Sequence, residues 1–114
     1  MRPPSPTDFS IDVDGVGNFA FARRTLRDEA RISVEYSRLT EGVATPTEDL
    51  VLLASWMSAL TVLTSKAPEG WDIETMDPLD PDTYTNLGKV YAALREKEGS
   101  FRRKPTPSSS VAGA

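Results

Sequence analysis

Sixteen consecutive residues, Leu50 to Ser65, carry no charge. Glu48 and Asp49 precede the run and Lys66 follows it. That is the polarity a helix macrodipole favours. Laid on a helix at about 100° per residue, the run sorts by side-chain size. Leu50, Leu52, Leu53, Trp56, Met57, Leu60 and Leu63 take one side. Val51, Ala54, Ser55, Ser58, Ala59, Thr61, Val62 and Ser65 take the other. A helix without a charged face is buried or lies at a contact surface. The run is shorter than the ~20 residues needed to cross a bilayer, and five of its residues are Ser or Thr. It therefore predicts a packed helix in which the bulky side is core and the small side is open to another helix.

The rest of the chain supplies the partners for that helix. Phe9-Ser10-Ile11-Asp12-Val13 and Phe19-Ala20-Phe21 alternate apolar and polar residues around the turn-rich Asp14-Gly15-Val16-Gly17-Asn18. This is the signature of a β-hairpin, spanning residues 9–23. A lone hairpin is marginal in water, so its apolar face needs a cover. Thr25 begins a helix over residues 25–41, with Asp28 and Glu29 in its first turn and Gly42 beyond its end. The uncharged helix spans 46–65, and an irregular connector covers 66–80, with Trp71 and Leu79 expected to pin it to the core. Asp80-Pro81 starts a third helix over 81–98, in which Tyr84, Leu87, Tyr91 and Leu94 form one apolar stripe and Gly99 marks the end. The expectation is a single α+β domain over residues 9–101, an N-terminal β-hairpin packed on a small bundle of three α-helices. Its termini, 1–8 and the basic then Pro/Ser-rich 102–114, read as disordered.

The chain of 114 residues contains no histidine and no cysteine. It therefore lacks the commonest general base, thiol nucleophiles and the usual zinc and iron–sulfur ligands. Asp12-Val13-Asp14-Gly15-Val16-Gly17-Asn18 superficially resembles a calcium loop. The fifth position is Val16 and the twelfth Arg23, where oxygen ligands are required, so the match fails. No phosphate-binding loop, dinucleotide-binding glycine cluster or serine-hydrolase elbow is present. The expectation is a protein that is not an enzyme, with no cofactor, no metal and no small-molecule substrate. The net charge of −4 and the absence of a signal sequence argue against nucleic-acid and membrane partners.

Two charged features remain. Arg24, Arg27, Arg31 and Arg38 project within about 60° of one another on the first helix. Leu26, Ala30 and Val34 lie on one flank of that stripe, and Ile32, Tyr36 and Leu39 on the other. The stripe is either a solvated face or a surface for an acidic partner. The connector is acidic throughout (Glu69, Asp72, Glu74, Asp77, Asp80, Asp82) and could cover the stripe within one subunit or meet it on a neighbour, which admits a homo-oligomer. On the uncharged helix, Trp56, Leu60 and Leu63 are the candidate contacts for a helical client, if they are reachable.

Three stretches carry a resemblance. They are Arg24-Thr25-Leu26-Arg27-Asp28-Glu29 continuing through Glu35-Tyr36-Ser37-Arg38-Leu39-Thr40-Glu41-Gly42, then Ala67-Pro68-Glu69-Gly70-Trp71-Asp72 with Asp77-Pro78-Leu79-Asp80-Pro81, and finally Leu94-Arg95-Glu96-Lys97-Glu98-Gly99-Ser100-Phe101-Arg102-Arg103. Together, over about residues 9–104, they resemble the small tail assembly chaperones of long-tailed bacteriophages. The resemblance implies a non-enzymatic protein of the host cytoplasm that binds the tape measure protein, assists tail-tube protein polymerisation and is not retained in the mature virion. It assigns no binding residues. Two other classes fit the composition: a virion structural protein such as a tail terminator or head–tail connector, and a host-directed phage regulator.

Overall fold

The computed structural model describes residues 1–102. The expected basic, Pro/Ser-rich tail lies outside the described residues from Arg103 onward. The architecture is α+β. A three-stranded antiparallel sheet, β1 (Phe9–Val13), β2 (Gly17–Phe21) and β3 (Thr64–Lys66), has the order β1-β2-β3. Three helices, α1 (Leu26–Leu39), α2 (Glu48–Leu63) and α3 (Pro81–Arg102), complete it with a 3-10 turn over Ile73–Thr75.

The hairpin follows its sequence pattern. Phe9 pairs with Phe21, Ile11 with Phe19 and Val13 with Gly17, so the alternating apolar residues share one face. Gly15 at φ 79° and Gly17 at φ 143° make the turn, which closes with Val16 N–H donating to the Val13 carbonyl at 2.9 Å. A Cβ on Gly17 would lie 2.5 Å from Pro68 Cγ, so this position also lets the connector pass close to the hairpin.

Each helix begins at a side-chain cap. Thr25 and Asp28 form a reciprocal capping box at α1. Thr47, one residue beyond Pro46, accepts from Leu50 N–H at 3.2 Å at α2. The Asp80 carboxylate accepts from Asp82 N–H at 2.9 Å at the start of α3.

The third strand was not apparent from sequence. The uncharged helix stops at Leu63 rather than Ser65, because the Leu63 carbonyl accepts from Ala22 N–H at 2.8 Å. Thr64 then turns to extended backbone, while its hydroxyl donates to the Leu60 carbonyl at 2.6 Å. The chain thus passes from α2 into the sheet, where Lys66 faces Ala20 and Thr64 faces Phe21.

The core lies between the sheet, the C-terminal half of α2 and α3. Phe19, Phe21, Leu63, Val90 and Leu94 are fully buried, with Leu60, Leu87 and Val13 nearly so. Along α3 the buried stripe is Leu87, Val90, Leu94 and Glu98. Tyr91 is half-buried and Tyr84 exposed, which corrects the sequence-based stripe. The helix also continues past Gly99 to Arg102. Phe101 anchors the extra turn, packing edge-on against Phe9 at 5.0 Å between ring centroids, with the Arg23 guanidinium 4.1 Å above its ring. In the connector, Trp71 packs edge-on to Phe19 at 4.9 Å, as expected. Leu79 does not pin it, being 88% exposed.

The N-terminal residues, expected to be disordered, lie on the body. Arg2 Nη1 donates to Asp28 Oδ1 and to the Val62 carbonyl, both at 3.1 Å. The first part of α1 therefore stands beside the last turn of α2.

Candidate functional site

The two sides of α2 meet different fates. Its small residues Ala54, Ser58 and Val62 are buried, and α2 packs more extensively on α1 than on α3. The small side thus takes another helix, as its residues predict, and that helix is α1 of the same chain, while Val51 and Thr61 on that side stay exposed.

The bulky side divides along its length. Leu60 and Leu63 are 1% and 0% exposed. They are core residues and reach no partner, which removes both from the candidate contacts. Toward the N-terminus the sheet no longer covers the helix. Leu52 is 49% exposed, and Leu50, Leu53 and Trp56 are half-buried. With Asp49 and with Tyr84 of α3 they line a groove of about 430 Å3.

Gly88 shapes one wall of this groove. A Cβ at that position would meet Trp56 Cη2 and Cζ2 at 3.4 Å, so the indole lies against α3 at Gly88. Tyr84 stands one turn earlier, 45% exposed. The buried stripe of α3 starts only at Leu87, so Tyr84, a residue expected in the core, is a groove residue. What the groove offers a ligand is apolar burial, with one carboxylate, Asp49, at its edge.

The arginines separate into two kinds. Arg24 is held by Glu98, with Nε to Oε2 at 3.0 Å and Nη2 to Oε1 at 2.9 Å, and by Glu29 at 2.9 Å. Arg95 adds a further bond to Glu98 Oε1 at 2.9 Å. Arg38 pairs with Glu35, and its guanidinium holds the Glu35 carboxyl below the usual range. Arg27 and Arg31 are exposed and make no ion pair or side-chain hydrogen bond among the described residues. The acidic connector forms no ion pair with the stripe among these residues. Glu74 acts on Arg38 only through space.

Trp56 and the arginine stripe are not brought together. Trp56 belongs to the α2–α3 groove, and the free arginines to the outer face of α1. The residues that sequence reasoning missed are Tyr84 and Glu98. Glu98 was recoverable from its place four residues after Leu94 on the apolar stripe of α3.

Among the described residues no helix is long and apolar enough to cross a membrane, and no cluster of His, Cys, Asp or Glu could hold a metal ion. Compared with protein-family models, curated proteins and solved structures, the chain matches none.

Proposed function

We propose that this chain is a non-enzymatic tail assembly chaperone of a long-tailed bacteriophage. It acts in the host cytoplasm, holding apolar helical segments of the tape measure protein while tail-tube subunits polymerise, and leaves before the virion is complete. The resemblance of three stretches over about residues 9–104 supplies the family. The observation that carries the reading is the open groove at Leu52, Trp56 and Tyr84, on the one long helix without a charged face.

An amphipathic client helix presents large apolar side chains at three- and four-residue spacing, and such side chains seat in apolar grooves between helices. The groove is partly open and modest in size, which suits holding and release. Burial of a few side chains gives contacts at about 25 cal/mol per Å2 before the entropic cost of ordering the client is subtracted.

Coexpression with tape measure fragments tests this. The native chain should retain fragments in the soluble fraction. Leu52→Asp and Trp56→Ala should lose them while the circular dichroism spectrum remains that of the native fold. Failure of the native chain to retain any fragment overturns the reading. Recovery of the protein as a stoichiometric component of purified particles would instead favour a tail terminator or connector.

A further inference from the structure

The chain separates its charges by region. Between Arg38 and Lys89 it has nine acidic residues and a single basic one, Lys66. Outside that interval it has eight acidic and twelve basic residues. The groove belongs to the acidic part. Asp49 lines it and Glu48 shares the first turn of α2, whereas Asp80 and Asp82, exposed at the start of α3, border a separate depression beside Gly15, Val16 and Pro68. No basic residue lines it.

The outer face of α1 is the converse surface. Leu26 and Val34 are 87% and 68% exposed, with Ala30 exposed between them. Their four-residue spacing makes one continuous apolar ridge. Arg27 and Arg31 flank it, exposed and unpaired among the described residues. One surface is an apolar channel with a carboxylate at its edge, and the other is an apolar ridge with two arginines along one flank. They lie on opposite sides of α2, so a single molecule cannot join its own ridge to its own groove.

We propose that the groove takes the α1 ridge of a second copy of this chain. Leu26, Ala30 and Val34 enter the channel, and Arg27 and Arg31 meet Asp49 and Glu48 in the first turn of α2. The contact joins two different surfaces, so it is heterologous and leaves a free ridge at one end and a free groove at the other. Copies therefore add head to tail. Opposite charge at the edges sets the direction of docking and makes the association sensitive to salt. The inference uses the groove of the proposed client site but does not require a client.

Sedimentation velocity on the full chain tests it. The native protein should associate at low salt with rising concentration, and dissociate in about 1 M salt, where the screening length is about 3 Å. The ridge variant Arg27→Glu/Arg31→Glu and the groove variant Leu52→Lys should each be monomeric. Mixed, they should form a dimer with one copy of each, because one retains a groove and the other a ridge, and this dimer should not extend. Asp49→Lys is a second groove variant, to be used if Leu52→Lys shifts the melting curve. A native chain that stays monomeric at low salt overturns the inference, as does a ridge variant that associates like the native chain or a mixture containing only monomers. Retention of tape measure fragments is a separate readout. Its failure removes the client reading and leaves the sedimentation result standing.

Discussion

The Arg24 guanidinium grips Glu98 across a sequence separation of 74 residues, with Nε bonded to Oε2 at 3.0 Å and Nη2 to Oε1 at 2.9 Å. Arg24 lies just before the cap of α1, and Glu98 lies on the buried stripe of α3, so the pair ties the start of one helix to the end of the other. The carboxylate is 9% exposed and is also bonded by Arg95. Such a fork depends on charge at both partners.

Glu98→Gln should therefore destabilise the fold by about 2–3 kcal/mol. That is below the range for fully buried pairs, because Arg24 and Arg95 keep some access to water. A lowered urea midpoint at unchanged slope is the expected result. A change within a few tenths of a kcal/mol would show that the fork contributes nothing net.

Asp28 sets the expected response to acid. Burial pushes its carboxyl up, but the hydrogen bond from the Thr25 backbone N–H, with the bond and charge of Arg2, outweighs this and holds it below the ordinary value of 3.8. A carboxylate depressed by folding stabilises the folded state above its unfolded pKa. That contribution fades as pH falls through the folded value. Asp28→Asn leaves one acceptor oxygen for the two donors and no charge, and should cost about 1–2 kcal/mol at neutral pH through loss of either the bond from Thr25 N–H or the bond from Arg2. It should also flatten the decline of stability below pH 3.8, as thermal melts across pH would record.

The hairpin and three helices were legible in the sequence because their signals are local. Gly15 and Gly17 supply the turn, Thr25 and Asp80 the caps, and Pro68 bars a longer second helix. What escaped depends on distant residues. Thr64–Lys66 is too short to show alternation and becomes a strand by pairing with Ala20 and Phe21. Gly99 reads as a terminator, but Phe101 packing on Phe9 carries the helix beyond it. The groove was half visible. Trp56 and Leu52 stand on the bulky side of α2, but only the extent of the sheet decides that Leu52 stays open while Leu60 is buried.

Two glycines should respond in opposite directions. Gly17 has φ 143° and its added Cβ would meet Pro68 Cγ at 2.5 Å, so Gly17→Ala should lower stability by about 1–3 kcal/mol. Gly88 lies inside α3, where its Cβ would touch the half-buried Trp56 ring at 3.4 Å, an ordinary contact. Gly88→Ala should raise stability by about 0.5–1 kcal/mol through helix propensity. Chemical denaturation of the two variants beside the native chain checks both signs.

Leu63 and Leu52 share the bulky side of α2 and differ in what covers them. Leu63 is 0% exposed among Phe21, Val90 and Leu94, whereas Leu52 is 49% exposed at the groove. Truncation to alanine removes the same atoms in both cases. At Leu63 it leaves a cavity between the sheet and α3, with an expected loss of about 2–5 kcal/mol. At Leu52 water fills the space, and the loss should stay below about 1 kcal/mol. Denaturant midpoints for Leu63→Ala and Leu52→Ala give the comparison. Equal losses would mean that the N-terminal half of α2 is covered as fully as the C-terminal half, and the groove would be closed in solution.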